Sequence, residues 1–212
     1  MTQADADALF DSGMKHFENR EIEEAISCFI QSAKLGSVNA VSNLAVFYSS
    51  PDLYPGANSK DFLAWLIMLA FEHKDPGGML DLGTIYCGSP RNVYISRFPE
   101  LMNYYNPAEG FRLIDEGVEK DKGSEILGFQ QYHEAYNAYH NETKNVHQPG
   151  SNDSFFKGDA WYAALKKKVF FAEKAVTAAE AQGAPATITH LYKQIAESAK
   201  NELEAASSDR HH

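Results

Sequence analysis

Residues 23–48 read EEAISCFIQSAKLGSVNAVSNLAVFY, and the order of residue types in this stretch decides the fold. Gly36-Ser37 divides two segments in which small and apolar residues recur at helical spacing: Ala25, Phe29 and Ser32 before the turn, Ala40, Leu44, Ala45 and Tyr48 after it. Neither segment alternates with period two, so two helices joined by a short turn are expected. Where two helices cross, Gly or Ala lets the backbones approach and accepts a bulky side chain from the partner helix. Phenylalanine and tyrosine supply that filling here.

Outward from this stretch the pattern repeats. Small residues come as pairs five apart, Ala8 and Gly13, Ala40 and Ala45, Gly78 and Gly83, Gly123 and Gly128, and both columns keep step along the chain. A leucine precedes the second small residue at Leu44, Leu82 and Leu127, and a tyrosine follows it by three at Tyr48 and Tyr86; His16 and Gln131 break that last column. Each such helix is followed by a second helical segment, at 21–35, 60–74, 106–121 and 159–182. With 27 alanines against 18 valines and isoleucines together, helix is favoured nearly everywhere and an all-α fold is expected.

In Gly13-x11-Ala25-x3-Phe29, in LAVFY (44–48) and in LGTIY (82–86) the chain resembles the tetratricopeptide superfamily, and residues 23–48 are similar to its Sel-one-like branch in particular. The resemblance covers about residues 5–183 and implies a right-handed α-solenoid of about four antiparallel helix pairs. Leu63 stands where a small residue is usual, and Lys74 and Glu119 where the Gly36 column calls for glycine. Residues 184–206 follow as an amphipathic helix with Ile188, Leu191, Ile195 and Ala199 on one stripe, suited to cap the apolar end of a repeat stack, and 207–212 as a polar tail.

The resemblance also implies a partner-facing surface on the first helix of each pair: Phe10, Met14 and Phe17; Ser42, Val46 and Ser49; Leu80, Thr84 and Cys87; Glu125, Phe129 and Tyr132. These positions lack the Lys, Arg and Asn that would clamp a charged peptide terminus, so an apolar helix or the protein's own insert is the expected occupant. That insert, 88–106, is rich in Tyr94, Phe98, Tyr104 and Tyr105 with Arg91 and Arg97. Tyr and Arg in a long loop read either as contact residues for a partner or as a lid over the neighbouring helices. A second insert, 141–158, is polar and reads as a flexible loop.

Charge and motif content bound the chemistry. Nineteen basic against 29 acidic residues give a net charge of -10, which argues against a nucleic-acid footprint or an anionic membrane surface. The longest apolar run, FLAWLIMLAF at 62–71, has ten residues where a bilayer span needs about 20, and reads as a buried helix. An acidic N-terminal segment and two isolated cysteines, Cys28 and Cys87, fit a reducing cytoplasm better than an exported, disulfide-stapled domain.

No GxSxG, P-loop or dinucleotide fingerprint is present, and no cofactor or metal is called for. His133 and His140 share a helical face with Tyr136, but seven residues of helix separate them by about 10.5 Å, too far for one ion. The expected function is a non-catalytic adaptor or scaffold binding a protein or peptide. The alternative is a dedicated neutraliser, such as a toxin immunity protein or a chaperone. A hydrolase working through His133 or His140 stands behind both. The neutraliser reading predicts that Phe10, Met14, Phe129 and Tyr132 form one surface with the insert from Tyr94 to Tyr105.

Overall fold

A computed structural model describes residues 2–89, 91–122, 127–144 and 159–209, and over these the chain is all-helical, with no strand among them. The helices are α1 (Gln3–Glu18), α2 (Ile22–Lys34), α3 (Val38–Ser49), α4 (Ser59–Ile67), α5 (Pro76–Tyr86), the short α6 (Val93–Arg97), α7 (Pro107–Asp121), α8 (Phe129–Lys144), α9 (Asp159–Ala181) and α10 (Ala186–Asp209). No described helix is long and apolar enough to cross a membrane.

Local chemistry sets most boundaries. Asn58, Asp75 and Asn106 each turn a side-chain oxygen onto a backbone N–H of the first turn of α4, α5 and α7, and Pro76 and Pro107 occupy first-turn positions where no N–H is needed. Gly36 ends α2 at φ +94°, a left-handed conformation that costs glycine nothing. The apolar run at 62–71 is helical and buries one face, Phe62, Leu63, Leu66, Leu69 and Ala70, while Ala64 is exposed; its second half, Met68–Glu72, widens into a π-helical turn. There Leu69 meets the backbone of α5 so closely that a Cβ on Gly78 would lie 2.5 Å from the Leu69 Cβ.

Consecutive helices pack on one another: α1 on α2, α2 on α3, α3 on α4, α5 on α7, α8 on α9 and α9 on α10. Several of these pairs run antiparallel, as their contacts show. Gly83 of α5 meets Gly110 of α7 while Gly117 meets Pro76. Lys200 and Lys193 of α10 pair with Glu173 and Glu180 of α9 in reverse order. The buried apolar residues fall into two clusters, one built by α2 to α4 with part of α5, the insert and Leu113 of α7, against which α1 packs its partly buried Phe10, Met14 and Phe17, the other by α7 to α10 with the remaining face of α5.

The small-residue columns do their expected work at some crossings and not at others. The Gly13 position takes the ring of Phe29, whose Cε1 would lie 2.6 Å from an added Cβ, and Ala40 and Ala45 are buried. Ala8, by contrast, is exposed, and Ala6 holds the buried place, where its carbonyl accepts from Ser32 Oγ at 2.6 Å. Gly128 has nothing nearer than 3.6 Å to an added Cβ, and Gly123 lies outside the described residues. The stripe of α10 is also shifted: Leu191 is exposed and Tyr192 is buried in its stead, beside Ile188, Ile195, Ala196 and Ala199. α10 continues through Ser207 and Ser208 into the segment expected to be a tail, because Ser207 bonds Tyr162 of α9 at 2.6 Å. Of the insert expected at 141–158, residues 141–144 are the last turn of α8 and 145–158 lie outside the described residues, as does Glu125.

Candidate binding cleft

The described residues of the insert form a strap pinned at several points. Asn92 is buried; its Oδ1 accepts from the N–H groups of Tyr94 and Ile95 to start α6, and its Nδ2 donates to Thr84 Oγ1 of α5 at 3.0 Å. Asn141 of α8 donates to Ser89 at 2.6 Å, Ser59 at the start of α4 donates to Glu100 at 2.5 Å, and the Arg97 guanidinium donates to the Ser49 carbonyl. Ile95, Phe98 and Leu101 enter the first core cluster, where Phe62 packs on both Tyr94 and Phe98.

This placement decides the fate of the residues expected to face a partner. Thr84, Leu80, Cys87, Ser49, Phe98 and Tyr132 are buried, and of these Tyr132 lines a hollow beside α7 and α9. Thr84 instead holds the strap to α5, and Tyr132 donates to Asp121 Oδ2 at 2.9 Å. Phe10 lies against Phe29 at 5.6 Å, Phe17 is edge-on to Phe47, and Met14 accepts from Asn43. Phe129 packs on Tyr192. Phe10 and Met14 thus belong to one core cluster and Phe129 and Tyr132 to the other, so they do not form one groove with the insert. Val46 is exposed, as are Arg97, Tyr104 and Tyr105.

What the strap does create is a cleft of about 270 Å³ between α5, α6, α8 and α10. Its lining is Asp81, Val93, Tyr94, Gln130, Gln131, His133, Glu134 and Tyr192. Asp81 lies at the meeting point of the elements. The Tyr94 hydroxyl donates to its Oδ2 at 3.2 Å and the Gln131 amide also favours its charged form, while Gln131 Oε1 accepts from the Gly128 N–H at 3.0 Å. Burial outweighs both and pushes Asp81 up to about 7. Burial, with the nearby Asp81 charge, raises Glu134 to about 7 as well. Burial and then the Arg91 charge hold His133 below the ordinary histidine value.

Two polar atoms of this wall, His133 Nδ1 and Glu134 Oε2, are buried and have no hydrogen-bond partner among the described residues. His133 stands between aromatic rings, stacked on Tyr136 at 5.8 Å and tilted against Tyr192 at 5.1 Å, and His140 stacks on the far side of Tyr136. The two histidines therefore flank a tyrosine, and no three His, Cys, Asp or Glu side chains converge as a metal site among the described residues. Sequence reasoning did not find Asp81 or Glu134: they lie 53 positions apart on unrelated helices, and only the approach of α8 to α5 under the strap joins them.

A larger hollow of about 440 Å³ lies beside α7 and α9, but its wall includes Lys122 and Leu127, which flank residues 123–126 outside the described set. No family model matches this chain, and neither a curated protein nor a solved structure does.

Proposed function

We propose that this protein is a non-catalytic interaction module, a short solenoid of Sel-one-like helix pairs closed by α10, that binds a basic protein or peptide through the outward face of its insert. The observation that carries this reading is the distribution of exposed apolar side chains. Seven large ones are exposed among the described residues, and four of them, Val93, Met102, Tyr104 and Tyr105, lie on the insert. The strap is anchored on its inner side by Asn92, Ile95, Phe98 and Leu101, so its outer side chains are held in place without paying for loop ordering on binding. Tyrosines on such a rigid support are efficient contact residues. The net charge of -10 gives a basic partner the faster encounter.

The pairwise packing of α1 with α2, α3 with α4, α5 with α7 and α8 with α9 supports the repeat reading. Dedicated neutralisation of one basic protein, rather than general scaffolding, is the second reading, and the same charge favours it. The test is recovery of a partner from the native cell, followed by Tyr104→Ala and Tyr105→Ala in the purified complex. Both side chains are about half exposed, so the variants keep their fold. At least one should weaken the complex by about 1 kcal/mol or more, the threshold of an energetic contact. Unchanged affinity in both variants rejects the insert as the contact surface.

A further inference from the structure

Beside the strap, the cleft of α5, α6, α8 and α10 has a chemistry of its own. Its two carboxyls and the Tyr94 oxygen bring acceptors, beside the amides of Gln130 and Gln131, which both donate and accept. Asp81 accepts from the Tyr94 hydroxyl and keeps further lone-pair sites; Glu134 Oε2 has no partner among the described residues; Tyr94 uses its proton in the bond to Asp81 and keeps its oxygen lone pairs. His133 is neutral at pH 7, since both burial and Arg91 oppose its protonation, so it adds no competing charge. Tyr94 and Tyr192 put aromatic side chains into the wall, and an aromatic ring attracts a cation through its face. Two half-buried carboxyls, unspent acceptors and aromatic walls together call for a ligand that brings donors and positive charge. The volume of about 270 Å³ is below the ~300–1,000 Å³ of pockets for drug-sized ligands, which suits one side chain or one small amine.

We propose that this cleft is a receptor pocket for a single alkylammonium or guanidinium group, inserted between Asp81, Glu134, His133 and Tyr192. It rests on the reading above in one respect: the group is supplied as a lysine or arginine side chain of the basic partner that docks on the adjoining strap. The free source of the same chemistry is a polyamine. Cation entry displaces the protons that burial keeps on Asp81 and Glu134, so binding releases protons near neutral pH and tightens as pH rises through about 7. Asp75, which also raises Asp81, adds to the attraction, while Arg91 near His133 and Arg97 near Tyr94 oppose it from the strap.

The experiment uses the full chain and four probes: Nα-acetyl-lysine methylamide, Nα-acetyl-arginine methylamide, the uncharged norleucine analogue and spermidine. Each is titrated while the amide signals of Gln130, Gln131, His133 and Glu134 are followed by NMR. A cationic amide should shift these signals saturably at millimolar concentration, the norleucine analogue should not, and Glu134→Gln should weaken the cationic probe about tenfold. Calorimetry of the unmodified protein in two buffers of different ionisation enthalpy adds a readout that needs no variant: proton release on binding is expected. Shifts by spermidine but by neither amide support the cationic pocket and assign it a free amine, which separates its success from a failure of the partner reading. Equal binding of norleucine, absence of proton release, full affinity in Glu134→Gln, or no shift with any cation overturns the proposal.

Discussion

The crossing of α5 and α7 offers a test in which the expected cost can be worked from geometry. At Gly83 an added Cβ would lie 2.7 Å from the Gly110 carbonyl oxygen, 2.9 Å from Ile114 Cγ1 and 3.1 Å from the Ile114 nitrogen, where 3.4 Å begins ordinary contact. Gly110 is the reciprocal case, at 2.7 Å from the Gly83 oxygen and 2.8 Å from Cys87 Sγ. The obstacles are largely backbone, which cannot rotate aside, so Gly83→Ala must push the helices apart by several tenths of an ångström. That thins the contacts around the buried Leu80, Leu82, Leu113 and Ile114. Because the obstacles are largely backbone, overpacking takes the upper part of its usual range, about 2–3 kcal/mol, and the gain in helix propensity from Gly to Ala returns roughly 1, leaving a net loss of about 1–2 kcal/mol. Urea denaturation should show a lower midpoint at unchanged m, and the melting temperature should fall by about 2–8 °C. Gly110→Ala should cost a similar amount, and the double variant less than the sum of the two, with a coupling of at least about 0.5 kcal/mol, because the first substitution opens the gap the second needs. Gly36→Ala is the contrast. No atom lies within 4 Å of its added Cβ, so its loss of about 1–2 kcal/mol comes from the left-handed backbone alone and should add independently to that of Gly110→Ala. Full stability in Gly83→Ala, or strict additivity with Gly110→Ala, would refute the crossing.

Two further predictions concern buried charge. Lys168 of α9 is 1% exposed, pairs with Glu202 of α10 and lies 6.0 Å from the centroid of the Tyr136 ring. Glu202→Gln removes the anion and leaves the ammonium, at a cost of about 1.5–3 kcal/mol by denaturant melt; Lys168→Met with Glu202→Gln should recover most of it, and failure to recover would mean that the pair is not what holds α10. The cleft carboxyls set a pH dependence. Asp81 is raised in the folded state from 3.8 to about 7, so the folded protein binds the extra proton, and stability should fall as pH rises from about 4 to about 7 relative to Asp81→Asn. Glu134 contributes with the same sign and His133, lowered on folding, with the opposite one below its ordinary value of 6.5. Asp75 acts on Asp81, Arg91 on His133 and Arg97 on Tyr94, and Tyr94 on α6 stays protonated throughout this range. A flat difference curve between the unmodified protein and Asp81→Asn would contradict the burial of this carboxyl.

What the sequence determined by itself is local. Asn58, Asp75 and Asn106 mark helix starts because a capping side chain reaches only two or three residues along the chain, and Gly36 marks a stop because its own φ is the cause. The place of Gly13 against Phe29 was also legible, since both partners lie on adjacent helices joined by a short turn. What required the tertiary structure is every feature set by a neighbour distant in sequence. Periodicity alone could not choose Ala6 over Ala8, or Tyr192 over Leu191, because the face a helix buries depends on its rotation against its partner. Nor could it show that the insert would cover α5, turning Thr84 and Phe98 from expected contact residues into structural ones. The approach of Asp81 to Glu134 is the furthest from sequence: desolvation of a carboxyl is a sum over everything packed around it, and here α6, α8 and α10 supply that packing from residues up to about a hundred positions away.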